Sequence, residues 1–273
     1  MEISAADVKK LRDRTNAPMM DCKKALTECQ GDMEKAITFL REKNKNITVA
    51  KADRETAEGR IAVFIDAAKK VGAILEMRCE SAPVAKSDQF VALANDLART
   101  AAEGADTVEK LLALPKAVER IHDTVGLLRE NMKPARVTRL TGLLGSYVHH
   151  DGATGVLLQV EGASADPQLL RDVSMHVTAK NPLAARREDV PAETIAKETE
   201  IAKAQIAADP KNANKPANIL EKIAEGKVKT WMAENILVEQ PFVKDDSKTV
   251  GQLLQSAGLK LVKFVRYKVG ELS

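Results

Sequence analysis

The runs RIAVFID (Arg60–Asp66) and VGAILEMRC (Val71–Cys79), joined by Ala67-Ala68-Lys69-Lys70, decide the fold. Both are rich in β-branched residues with period-two patterning, and the four residues between them suit a turn, so they predict a β-hairpin. The next two runs are helical. Phe90, Leu93, Ala94, Leu97, Ala98 and Ala101 hold helical spacing in a run that begins near Ser87, and Val118, Ile121, Val125 and Leu128 do so between Pro115 and Met132. The order repeats from about Leu143. LGSYVHH, the turn DGAT and GVLLQVEG form a second hairpin, and Asp166-Pro167 is a good N-cap and N1 pair for a helix holding Leu169, Leu170, Val173, His176 and Val177. Helices are expected from Pro191 to Ala208 and from Pro216 to Trp231, with PKNANKP as loop between them. A short helix, TVGQLLQS, then precedes a final strand, LKLVKFVRYKVG. The predicted fold class is α+β, two related lobes of antiparallel sheet with helices on one face.

The first fifty residues have a different texture. Ser4 with Asp7 three residues on is a capping-box pattern, and Val8 and Leu11 carry an apolar face to the loop Thr15-Asn16-Ala17-Pro18. Cys22, Ala25, Leu26 and Cys29 repeat at helical spacing, Gly31-Asp32 breaks the chain, and Met33, Ala36, Ile37 and Leu40 repeat it again. Three helices this short must share one core. The polar stretch from REKNKN to about Gly59 reads as helix end and linker, which gives segments 1–44, 45–58, 59–141 and 142–273.

Composition bounds the function. Lys plus Arg number 42 against 39 Asp plus Glu in 273 residues, a net charge of +3, which does not favour a nucleic-acid backbone as partner. Aromatics are 3%, too few for a base-stacking platform. Three cysteines suit a reducing compartment rather than a disulfide framework. The start is charged and amphipathic, and no run reaches the roughly 18 apolar residues of a membrane span, so a cytoplasmic protein with no membrane partner is expected. The sequon Asn46-Ile47-Thr48 is then an accident of composition.

Signatures of chemistry are missing. There is no Walker loop, GxGxxG, HExxH, CxxC or GxSxG, so no catalytic residue and no metal site are assigned and the chain is not read as an enzyme. His149-His150 is the one histidine pair, and on an extended segment adjacent side chains face opposite ways, so both could reach one metal only across a bend. His176 reads as a satisfied, partly buried histidine, and Cys22, Cys29 and Cys79 read as small hydrophobes. Residue patterns alone favour a binding protein.

RTNAPMMDCKKAL (Arg14–Leu26) resembles the N-terminal signature of the bacterial elongation factor Ts family. The likeness continues in TECQGDMEKAITFLREKN, GSYVHHDGATGVLLQVEG, MHVTAKNP, KPANILEKIAEGKVKTWMAENILVEQPFVKD with SKTVGQLL, and FVRYKVGE, in the family's order over nearly the whole chain. It implies a ubiquitin-associated-like three-helix domain, a linker and a core of two α+β halves. It also implies a guanine-nucleotide exchange factor for elongation factor Tu. In this family the N-terminal domain and first core half grip the partner's GTP-binding domain, the second half contacts its last domain, and GDP leaves a nucleotide-free complex, either a heterodimer or a dimer of heterodimers. No cofactor belongs to this chain, since the magnesium belongs to the partner.

Carried over residue by residue, the family's Thr-Asp-Phe-Val wedge, which disturbs the partner's magnesium site, falls on Ser81, Ala82, Pro83 and Val84, framed by Cys79-Glu80. The wedge's Asp and Phe are absent here. Ala82 brings no charge to a metal site, and Pro83 offers less area than a phenyl ring but a rigid φ. The segment either docks as a shaped loop or, with Pro83, simply starts the next helix. Phe90 belongs to the apolar repeat and is expected inside. Partner-binding positions are Met19, Met20, Arg136 and His149, with core burial open for Met19, and Asn16 and Pro18 stand where the family commonly has glycine. Two other functions stay in play: a factor that holds elongation factor Tu without accelerating release, and an RNA-associated factor using Lys260, Lys263, Arg266 and Lys268.

Overall fold

The computed structural model describes residues 3–212 and 215–271. Ser4 caps α1 (Ala5–Thr15) by accepting from the Asp7 amide, and Asn16 closes that helix in the left-handed region at φ 53°, donating to the Arg12 carbonyl at 2.7 Å. Asparagine tolerates this conformation, so the loop makes the turn that a glycine would make. Next come α2 (Met19–Glu28) and α3 (Met33–Lys51), the latter capped by Asp32, which accepts from the Glu34 and Lys35 amides at 3.0 Å. Val8, Leu11, Cys22, Ala25, Leu26, Ala36 and Leu40 form the shared core.

One boundary differs from expectation. Helix α3 does not end near residue 44 but continues to Lys51, because Ile47 packs onto the apolar cluster of the following lobe and its charged neighbours stay in water.

The hairpin pairs β1 (Glu58–Asp66) antiparallel with β2 (Val71–Cys79), in register from Glu58↔Cys79 to Asp66↔Val71. A single helical turn, α4 (Ala82–Ala85), leads into α5 (Asp88–Gly104), which Ser87 caps. After α6 (Val108–Leu112), α7 (Pro115–Leu128) stops where Arg129 turns left-handed at φ 61°. Strand β3 (Met132–Thr141) comes next, so the residues after Leu128 do not extend the helix to Met132. That strand escapes a reading by alternation because charged residues and Pro134 interrupt it. The proline is tolerated because β3 lies at the edge of the order β1-β2-β3, where a missing amide breaks no inner ladder. Phe90, Leu93, Leu97, Val125, Leu75 and Met77 make the lobe's core, with Phe90 fully buried as its spacing predicts.

The second hairpin is β4 (Leu143–Val148) with β5 (Thr154–Glu161), followed by α8 (Pro167–Lys180), capped by Asp166. Helices α9 (Ala192–Ala208) and α10 (Ala217–Asn235) come next, α10 running a turn beyond Trp231. Of the loop expected between them, Pro210–Asn212 form a 3₁₀ turn, and residues 213 and 214 lie outside the described residues. Strands β6 (Pro241–Phe242) and β7 (Asp245–Thr249) make a small polar hairpin that alternation does not reveal. Thr249 and Gln252 box the start of α11 (Val250–Ser256), and β8 (Lys260–Lys268) completes the sheet order β4-β5-β8. In both sheets the third strand flanks the second strand of the hairpin, a likeness beyond the hairpin-then-helix order on which the sequence reading of two related lobes rests.

The chain forms two compact units. One takes in the chain up to Leu140 with the hairpin tip Val148–Gly155 and the segment from Tyr267 onward; the other holds Thr141–Tyr147 and Val156–Arg266. In the second unit His176 is buried, its Nε2 2.9 Å from Gln240 Oε1 while its Nδ1 accepts from the Val243 amide at 3.1 Å. The acceptor role of Nδ1 places the proton on Nε2, and burial holds the ring's pKa below the ordinary histidine value. It is the satisfied histidine its spacing predicts.

Candidate functional site

The segment after β2 is held atom by atom. Glu80 accepts from the Asn131 amide at 2.5 Å and pairs with Arg54 at 3.4 Å. Ser81 donates through its amide and its hydroxyl to the two carboxylate oxygens of Glu130, at 3.0 and 2.5 Å. The Ser81 carbonyl accepts from the Ala85 amide at 3.1 Å and from Cys79 Sγ at 3.4 Å. Ala82, Pro83 and Val84 then wind through α4, with Pro83 in its first turn, where the fixed φ suits a helix start, and Val84 accepting from Ser87. Ala82 and Val84 are half-buried and Pro83 is exposed, so the segment is a short shaped turn with the proline ring outward. Beneath it the Cys79 thiol is pushed up to about 12, by burial first and by the Glu130 carboxylate second. That thiol stays protonated and unreactive at neutral pH.

The N-terminal signature is braced in the same unit. Asp21 accepts from Lys43 at 2.5 Å and from Arg129, which ties α2 to α3 and to the end of α7. Met19 and Met20, on the first turn of α2, are 42% and 73% exposed, so the open alternative for Met19 resolves towards solvent. Two methionines left in water beside a charged cluster make a soft, exposed apolar patch. Arg14, Asn16, Met19, Asp88, Gln89 and Arg120 line one cleft of this unit, so the signature loop and the start of α5 face a common space.

Arg136, a position expected to face the partner, is also engaged within the fold. Its Nε lies 2.5 Å from Glu76 Oε2, its Nη2 donates to the Lys268 carbonyl at 2.7 Å, and its guanidinium stacks 4.3 Å above the Tyr267 ring. Glu76 is itself 2% exposed and accepts from the Gly270 amide at 2.9 Å. Inside the fold, Arg136 ties β3 to β2 and to the C-terminal segment. A glutamate in the apolar run VGAILEMRC was the signal for this buried pair.

His149 sits in the turn of the second hairpin, where its amide donates to the Thr154 carbonyl and its carbonyl accepts from Gly152, both at 2.8 Å. The two histidines do not face opposite ways. The backbone bends there, and the His149 and His150 rings lie 4.3 Å apart, tilted by 57°. Among the described residues no three His, Cys, Asp or Glu side chains converge as metal ligands, and no helix is long and apolar enough to cross a membrane.

The residues that sequence reasoning missed are Glu130 and Asn131. They come after α7 with no apolar pattern to mark them, and only the 3% exposure of Asn131 in the folded chain reveals a structural demand.

Comparison with known proteins gives one answer along the chain. A family model described as elongation factor TS matches residues 80–271. A protein named elongation factor Ts from Methylococcus capsulatus is 44% identical over 280 residues, covering 99% of this chain and 93% of its own. Those of Acidithiobacillus ferrooxidans and Bordetella petrii, with the same name, are each 42% identical over 99% of this chain and 93% and 92% of theirs.

Proposed function

Because the chain belongs to the elongation factor Ts family, we propose that it accelerates GDP release from elongation factor Tu by presenting the rigid turn Ser81–Val84 to the partner's magnesium and phosphate site. The exchange role in translation elongation is that of the family. GDP is held because backbone amides and a magnesium ion neutralise its phosphates, so a body that shifts the metal's surroundings weakens the grip. Reciprocity requires nucleotide to weaken the factor equally, and GTP rebinding ejects it. No covalent bond is made or broken.

The observation that carries the proposal is the seating of Ser81, whose amide, hydroxyl and carbonyl are all bonded within this chain. With a methyl group and a proline ring at the turn, shape is what it can present, and shape needs a fixed backbone. Met19 and Met20, with the cleft-lining start of α5, supply contact to the GTP-binding domain, and His149 at the hairpin turn supplies contact to the last domain. The complex forms in the cytoplasm with the GDP-bound partner and passes through a nucleotide-free state, as a heterodimer or a dimer of heterodimers. The three-helix segment 1–44 and first core half 59–141 work together, with 142–273 as the second half.

The test is the release of a fluorescent GDP from elongation factor Tu of the same organism, with this chain or with an Ala82→Asp/Pro83→Phe variant. Strong acceleration by the unmodified chain supports the proposal. Tight binding without acceleration refutes it in favour of a holding role, and rescue by the variant would locate the defect in this turn.

A further inference from the structure

We infer that Glu130 is a positioning residue for exchange, and that Arg129-Glu130-Asn131 joins the turn, the segment just after α3 and the N-terminal signature into one preorganised surface. The inference rests on the reading of Ser81–Val84 as the exchange turn. Three consecutive side chains, released from helical geometry by the left-handed Arg129, reach three separate segments. Arg129 binds Asp21 of the signature. Glu130 accepts from the Ser81 amide and hydroxyl. Asn131 donates to the carbonyls of Ala52 and Arg54 at 3.1 and 2.8 Å, and its amide goes to Glu80, the residue that precedes Ser81.

The chemistry favours a positioning role. A carboxylate with one oxygen on a backbone amide and the other on the same residue's hydroxyl fixes both the φ of Ser81 and its side chain, through charge-assisted bonds. Glu130 is half-buried, both its carboxylate oxygens accept from Ser81, and it holds a turn of which Pro83 is exposed, so its action on a partner runs through Ser81. Without the clamp the turn keeps its sequence but samples other shapes, and ordering it would then add to the barrier for release rather than to the cost of binding. Glutamine can reproduce the arrangement, its carbonyl accepting from the amide and its NH₂ donating to the hydroxyl. Alanine cannot.

Two measurements on the full chain decide this. Hydrogen exchange of the free protein should show the Ser81 amide exchanging about tenfold faster or more in Glu130→Ala, the protection one charge-assisted bond supplies, with a smaller increase in Glu130→Gln, whose neutral carbonyl still accepts. In fluorescent-GDP release, Glu130→Ala should lower the rate at saturating factor about tenfold while the half-saturating concentration stays within about twofold, and Glu130→Gln should restore most of the rate. Ser81→Ala, which keeps the amide bond, should fall between them. A Glu130→Ala rate within twofold of the unmodified chain, or unchanged Ser81 exchange, overturns the inference. So does a loss that tracks a lowered melting temperature in every variant alike. Failure of the unmodified chain to accelerate release overturns the exchange reading itself, and the hydrogen-exchange arm still reports whether the clamp exists.

Discussion

Replacing Glu76 by glutamine should destabilise the first unit by about 3 kcal/mol, the lower end of the range for breaking a buried ion pair from one side. Glu76 is 2% exposed and Arg136 is 16% exposed, with 2.5 Å between their charged atoms, so water compensates little when the charge is removed. The amide oxygen of glutamine can still accept from Gly270, but its NH₂ would face the Arg136 guanidinium, donor against donor. Arg136 would retain only the Lys268 carbonyl and the Tyr267 ring. At about 2–4 °C per kcal/mol for a body of this size, the melting temperature should drop by roughly 6–12 °C. Urea unfolding monitored by far-ultraviolet circular dichroism measures the change directly. The double variant Glu76→Leu/Arg136→Met should be less destabilised than the sum of its single changes, because removing both charges leaves no buried orphan. A Glu76→Gln change within about 0.5 kcal/mol of the unmodified chain, or strict additivity in the cycle, would refute the reasoning.

Single sites elsewhere give further expected outcomes. His176 is held neutral in the fold, with its pKa below the 6.5 of the exposed group, so below about pH 6.5 the unfolded chain takes up the proton first. Stability should therefore be fully present above that pH and decline as pH falls through it. The part of this slope due to His176 should vanish in His176→Gln, and an unchanged slope in urea midpoints at pH 7 and pH 5 would sink the assignment. Gly126 lies where a built Cβ would meet Asn44 Oδ1 at 2.0 Å, so Gly126→Ala should cost about 1–3 kcal/mol through overpacking. Asn44→Ala should relieve much of it, and a neutral Gly126→Ala would show that α3 shifts freely over α7. Thiol labelling of the native protein at pH 8 should reach Cys29, which is half-buried, well before Cys22 and Cys79, which are fully buried. Fast modification of Cys79, whose thiol is pushed up to about 12, would contradict its seating under the turn.

Local patterns carried much of the architecture. Period-two runs placed both hairpins, and Ser87, Asp166 and Thr249 each sit as helix caps where a short polar side chain precedes an apolar helical repeat. Strand β3, the extension of α3 to Lys51 and the β6–β7 hairpin were not legible. Their stability comes from what they pack or pair with: Ile47 against a distant cluster, and Pro134 at a sheet edge that only the pairing order defines. Arg136 shows the same limit in its surroundings. Its sequence position marks a basic residue, but not that it pairs with Glu76, sixty residues away in the chain.

The fold class, the two main hairpins and the longer helices, the inward faces of those helices and the family were thus readable from the chain alone, because they depend on periodicity, capping chemistry and motif order along a continuous sequence. Folding in three dimensions decided which charges are consumed internally, that Met19 and Met20 remain in solvent, and that Glu130 clamps Ser81 across 49 residues of chain. Those outcomes depend on distances between segments far apart in sequence, and no local pattern encodes a distance.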